Sequence, residues 1–92
     1  MLRGGVRRSV DGYAFFIERR QAGEPRLGML VTRKHARLAT RRNAIKRCIR
    51  EAFRLERHRL GSLDMLVRPP YNAEPGKAMI ERLRVILPKV AS

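Results

Sequence analysis

Residues 33 to 54 read RKHARLATRRNAIKRCIREAFR, nine Lys/Arg against one acid, Glu51. The second half of this run carries an apolar stripe: Ile45, Cys48, Ile49, Ala52 and Phe53 recur at i, i+3, i+4, i+7 and i+8. That spacing predicts an amphipathic helix, and such a helix must bury its stripe against other elements. At about 100° per residue, Lys46 stands about 40° from Arg42, Arg50 about 80°, Asn43 about 100°, Arg54 about 120° and Arg47 about 140°. The positive charge therefore gathers into one ridge, and most of the opposite arc is apolar. Thr40 is the predicted N-cap. The helix is expected to run to about residue 58, with Gly61 as its C-terminal cap.

A solvated helix face held by i, i+4 pairs, such as Arg47 with Glu51, is the ordinary alternative. One bordering acid cannot neutralise five Lys/Arg, and like charges four apart repel, so a polyanion partner is the better reading. Arg33, Lys34, Arg37 and Arg41 extend the ridge backwards through the connection that precedes the helix. The helix N-terminus adds free N–H donors and a positive dipole end, both suited to phosphate. Asn43 has two open roles, contact with a nucleic acid or satisfaction of local backbone groups.

The whole chain leans the same way. Its 92 residues hold 22 Lys/Arg and 8 Asp/Glu, a formal charge of +14. Such an excess weakens a compact state by self-repulsion unless a partner neutralises it, and phosphate backbones are the commonest such partner. The length suits a single domain over residues 1–92, with residues 1–4 expected to be a flexible start. No apolar run approaches the roughly 18 residues of a membrane span, so no membrane partner is expected. A lone cysteine, Cys48, on the apolar side of the helix points to a reduced, cytoplasmic setting.

Around the helix the pattern is strand-like. Residues 5 to 10 suggest an edge strand, and Asp11-Gly12 a turn. Tyr13 to Arg19 alternates, with Tyr13, Phe15 and Ile17 on the face expected to meet the core and Ala14, Phe16 and Glu18 on the other. Leu27 to Thr32 reads as a second strand of hairpin type, so the early sheet is expected to be antiparallel. Leu63 to Val67 is a further strand, stopped by Pro69-Pro70. Pro75 suits the first turn of a last helix, with Met79, Ile80, Leu83, Ile86 and Leu87 inward and Pro88 closing it. The predicted fold class is α+β, a small two-layer sandwich in β-β-β-α-β-α order. Phe16, on the open sheet face, either stacks an unpaired base or is covered by another element.

Catalytic patterns are missing. His35 and His58 lack Cys, Asp or Glu at metal-ligand spacing, and no carboxylate pair stands out. Asp64, inside an apolar strand, has two open roles, a part in chemistry or a strand-end or structural carboxylate, and the second is the better reading. No catalytic residue and no protein-bound metal is therefore expected.

With those residues in view, RRNAIKRCIREAFR (Arg41 to Arg54), preceded by PRLGMLVTRKHARLA (Pro25 to Ala39), resembles the protein subunit of bacterial ribonuclease P. HRLGSLDMLVR (His58 to Arg68) continues the likeness, which spans roughly residues 5 to 88. The resemblance implies a ribonucleoprotein endonuclease that removes the 5′ leader of precursor tRNA. Chemistry there is carried by the RNA subunit with Mg²⁺, bound mainly by that RNA and the substrate, with one protein per RNA. Arg42 and Asn43 would take the first two places of the family's Arg-Asn-Arg motif, with Lys46, Arg47 and Arg50 as the basic positions that follow. The open sheet face would form the leader cleft, with Phe16 and Ala14 in it. A left-handed βαβ crossover is also implied, against the usual hand. Two departures stand out: Ala44 occupies the third motif place, and the family's first helix, which walls the cleft, is expected to be missing. The competing reading is a structural RNA-binding protein of the small ribosomal type, which shares the charge and the size. A helix-turn-helix DNA reader fits less well, because no helix precedes the basic one.

Overall fold

The computed structural model describes residues 5–91, so the expected flexible start at residues 1–4 lies outside them. Strands β1 (Val6–Val10), β2 (Tyr13–Arg19), β3 (Arg26–Met29) and β4 (Leu63–Arg68) form one sheet in the order β1-β2-β4-β3. Helix α1 (Ala39–Glu56) lies between β3 and β4 in sequence, and α2 (Lys77–Ala91) closes the chain.

Asp11 and Gly12 form the two-residue turn between β1 and β2, with φ of 54° and 82°. Positive φ at both central positions marks the tight hairpin turn whose twist matches its strands. The register follows, with Val10 opposite Tyr13 and Arg7 opposite Phe16.

The hairpin expected between β2 and β3 does not form. β4 lies between them, antiparallel to β2 and parallel to β3. Neighbouring parallel strands need a long crossover, which α1 supplies. β4 takes the central place because Leu63, Met65 and Val67 bury fully on one face while Leu66 adds an apolar residue on the other. β3 has only four residues, two of them Arg26 and Gly28, and is suited to an edge.

Tyr13, Phe15 and Ile17 of β2 face the helices, as the alternation predicts. They meet Ile45, Ile49, Ala52 and Phe53 of α1, and Met79, Leu83, Ile86 and Leu87 of α2, in one core. Burial pushes the Tyr13 phenol above its usual value, with smaller contributions from Cys48 and Asp11.

Three helix boundaries differ from expectation. α1 begins one residue before Thr40, with Leu38 as N-cap: the Arg42 N–H donates to the Leu38 carbonyl at 3.1 Å, and no side chain caps the turn. Its other end tightens into a 3₁₀ turn at Arg57–Arg59 before Gly61, whose φ of 77° favours glycine. α2 begins two residues after Pro75 and runs through Pro88 to Ala91. Pro88 removes one N–H from the ladder, but burial of Val90 and Ala91 beyond it keeps the last turn in place.

Cross-links tie the layers together. Glu56, 4% exposed, accepts from Arg84 Nε of α2 at 2.7 Å and stands 3.6 Å from Arg59 Nε. Arg82 of α2 pairs with Asp11 at the hairpin tip. The Gly76 N–H donates to Cys48 Sγ at 3.2 Å, seating the start of α2 on α1.

Candidate nucleic-acid interface

The basic helix divides into cations that the fold uses and cations that it leaves to solvent. Arg41 lies 100° behind Arg42 on the helical wheel, which puts it on the arc of Cys48 and Ala52 and not on the ridge. Its guanidinium reaches the segment before α2, donating to the Ala73 carbonyl at 3.4 Å and pairing with the exposed Glu74 at 3.1 Å. Arg42 donates to the Ala36 and Arg37 carbonyls at 3.0 and 2.9 Å, holding the connection that carries Arg33, Lys34 and Arg37. Arg54 forks onto Glu51 at 2.9 and 2.8 Å. That hydrogen bond lowers the Glu51 pKa and raises that of Arg54.

The remaining cations are unspent. Among the described residues, the side chains of Arg33, Lys34, Arg37, Lys46, Arg47 and Arg50 make no hydrogen bond or ion pair. Asn43 is exposed and makes no local side-chain bond, so its amide does not satisfy the backbone groups around it. Ala44, the departure from the motif, is half-buried beside it.

On the sheet, the face away from the helices holds an open groove of about 550 Å³. Cross-strand register builds its floor as a row, Phe16 opposite Leu66 and Leu66 opposite Gly28. Gly28 keeps that floor low, since a Cβ there would stand 3.2 Å from Leu66 Cδ1. Among the described residues no element covers Phe16: it is half-buried, and the Arg7 guanidinium lies 5.6 Å from its ring centroid. Ala14 is different. At 2% exposed it contributes no accessible surface to the groove.

Asp64 sits at the groove's edge, with Arg20 Nε 3.1 Å from its Oδ1. The two atoms are close enough for an ion pair but too poorly aligned for a hydrogen bond. The pairing gives Asp64 a structural role.

Two further hollows flank the groove. One, of about 440 Å³, lies between β3 and the outer side of α1 and is lined by Met29, Arg50, Phe53, Arg54 and Arg57. The other, of about 350 Å³, lies beyond the end of β3 among Thr32, Arg33, Lys34, His35 and Tyr71. Leu27 is shared between the groove and the first, and Leu30 between the groove and the second. The edge strand β3 is thus the spine of a continuous surface that joins the cationic ridge to the open sheet face. Sequence periodicity found the ridge and the open face, but nothing in it joined them. It also missed Arg68 and Tyr71, which lie on the same surface.

Among the described residues no group of three or more His, Cys, Asp or Glu could hold a metal ion. Among the same residues no helix is long and apolar enough to cross a membrane.

Fold and surface together define a small basic α+β domain with a one-sided cationic helix beside an uncovered sheet face. The family model for ribonuclease P matches residues 1–89, and the chain belongs to that family. The ribonuclease P protein component of Buchnera aphidicola subsp. Schizaphis graminum is 58% identical over 45 residues, 49% of this chain and 40% of that protein. That of Serratia proteamaculans is 49% identical over 47 residues, 51% of this chain and 40% of that protein. The matched segment therefore spans about two fifths of the length of these curated relatives. Over a longer stretch, the RNase P protein from Thermotoga maritima superposes with a TM-score of 0.76 at 26% identity, covering 92% of this chain and 83% of that one. The family places the chain away from the ribosomal-protein alternative.

Proposed function

We propose that this chain is the protein subunit of ribonuclease P, the ribonucleoprotein endonuclease that removes the 5′ leader of precursor tRNA. In this reading the ridge of Lys46, Arg47 and Arg50, with Arg33, Lys34 and Arg37, docks on the catalytic RNA. The open groove holds the unpaired leader, and Phe16 offers its ring to a base. The observation that carries the proposal is the continuity of ridge and groove around β3, which lets one protein touch two RNAs at once.

In this reading the bond-breaking step is carried by the RNA with Mg²⁺ and not by a group of the chain. On the same reading Mg²⁺ is bound mainly by the RNA subunit and the substrate, and Asp64 keeps its pairing with Arg20. What the protein contributes is binding and charge neutralisation, which lower the Mg²⁺ that the RNA needs. One protein per RNA and a cytoplasmic setting complete the proposal.

Reconstitution tests it. The chain is mixed with a bacterial ribonuclease P RNA, and cleavage of precursor tRNA is followed at low Mg²⁺. Faster cleavage than with the RNA alone is the expected result. No stimulation, together with tight binding to ribosomal RNA, would overturn it.

A further inference from the structure

The turn after β4 presents an aromatic that neither the core nor the groove uses. Tyr71 follows Pro69-Pro70, and the Ala73 N–H closes a turn on the Pro70 carbonyl at 3.2 Å. The ring is held outward, 57% exposed. It rests on the ring of His35, with centroids 4.7 Å apart and planes tilted by 50°.

His35 is a rigid base. It is 6% exposed and both ring nitrogens are committed. Nδ1 accepts the Thr32 N–H at 2.9 Å, and Nε2 stands 3.0 Å from the Pro69 carbonyl. A backbone N–H can only donate and a carbonyl can only accept, so the ring is the neutral Nε2–H tautomer and cannot turn over without losing both bonds. Burial gains little at Tyr71, so packing alone gives a poor reason for an aromatic there.

The surroundings supply a better one. Arg33, Lys34 and Arg68 line the same hollow as Tyr71, and no acid does. An exposed aromatic ringed by cations matches an unpaired nucleotide, whose base stacks while its phosphates meet the charges.

We propose that Tyr71, braced on His35, stacks an unpaired base of an RNA strand whose phosphates Arg33, Lys34 and Arg68 hold. The identity of that RNA rests on the ribonuclease P reading. The hollow shares Leu30 with the sheet groove, so a strand lying in the groove reaches Tyr71 without leaving the surface. The base comes either from the substrate strand or from a single-stranded segment of the RNA subunit.

Stimulation of cleavage by the unaltered chain tests the subunit reading alone, whatever Tyr71 does. For the inference, Tyr71→Ala, Tyr71→Phe and Tyr71→Leu are compared in binding to leader-bearing precursor, to leaderless tRNA and to the RNA subunit. Tyr71→Ala is expected to weaken one complex by roughly tenfold, with Tyr71→Phe within about twofold of the original. A loss confined to leader-bearing precursor assigns the base to the leader, and a loss with the RNA subunit assigns it there. Fluorescence quenching of a single-stranded RNA carrying 2-aminopurine reads stacking without cleavage, and Tyr71→Ala is expected to lose it. If Tyr71→Ala melts early, Tyr71→Leu stands in for it, keeping bulk without a π face. Unchanged affinities and quenching in Tyr71→Ala, or in Tyr71→Leu where it stands in, would overturn the proposal. So would a Tyr71→Phe as weak as Tyr71→Ala.

Discussion

Phe15 and Phe16 are consecutive and chemically identical, yet the sheet gives them opposite work. Phe15 is fully buried beneath the helices, while Phe16 lies half-buried on the face that no element of the described residues covers. The period of two along a strand separates them completely. On the inner face Phe15 belongs to the hydrophobic core cluster, beside the Tyr13 ring, and packing is its role. On the outer face Phe16 has Arg7 beside it and an open groove in front, so its apolar surface remains available to a ligand. The same division recurs along α1, where Arg42 is bound to carbonyls of the chain itself and Arg50, two turns on, has no side-chain partner.

The largest test of this contrast is the phenylalanine pair. Phe15→Ala is expected to cost about 3–5 kcal/mol in denaturant unfolding, because it opens a cavity in a small core. Phe16→Ala should cost about 1 kcal/mol or less, of which the Arg7 contact is a part. Its effect should appear in RNA binding, as a loss of about 1–3 kcal/mol toward leader-bearing precursor and none toward leaderless tRNA. Equal destabilisation by the two substitutions would break the contrast.

The arginines give a smaller version. Arg42→Ala removes two charge-assisted bonds to carbonyls and should destabilise by about 1–3 kcal/mol, as read from thermal or denaturant unfolding. Lys46→Ala with Arg50→Ala should leave stability within about 0.5 kcal/mol. That double substitution should instead flatten the salt dependence of RNA-subunit binding by about two contacts' worth of slope. If Arg42→Ala moved only the salt slope, its place among the internal cations would be wrong.

The smallest effect belongs to Glu51. Its pKa is lowered by Arg54, so the pair stabilises above the unfolded-state value and is lost as pH falls through the folded one. Both partners are exposed, so solvent screening leaves that contribution slight. Glu51→Gln is expected to flatten the acid side of the melting-temperature profile a little. It should also release Arg54 and steepen the salt dependence of RNA binding by up to one contact.

Much of the molecule was legible beforehand because periodicity encodes facing. The split of β2 into core and open sides, the stripe on α1 and the inward residues of α2 all follow from repeats of two and about 3.6. The boundaries were less legible. Leu38 in place of Thr40 at the start of α1, and the passage of α2 through Pro88, depend on what each terminal turn can bury or bond. Arg41 extends the ridge in the sequence because it is basic and adjacent, but its angle on the helix sets it on the other side. Tyr71 carried no periodic signal, since it stands in a turn.

By itself the sequence determined which residues face inward, how the charge is sorted along one helix, and through its motif, the family. Those properties are local, set by dihedral preference and by the spacing of side chains a few residues apart. The tertiary structure decided that β4 enters between β2 and β3 and that β3 joins groove to ridge. It also decided which arginines are consumed by carbonyls and that His35 comes to rest under Tyr71. Each of these pairs residues far apart in the chain, and such meetings depend on the packing of the whole core.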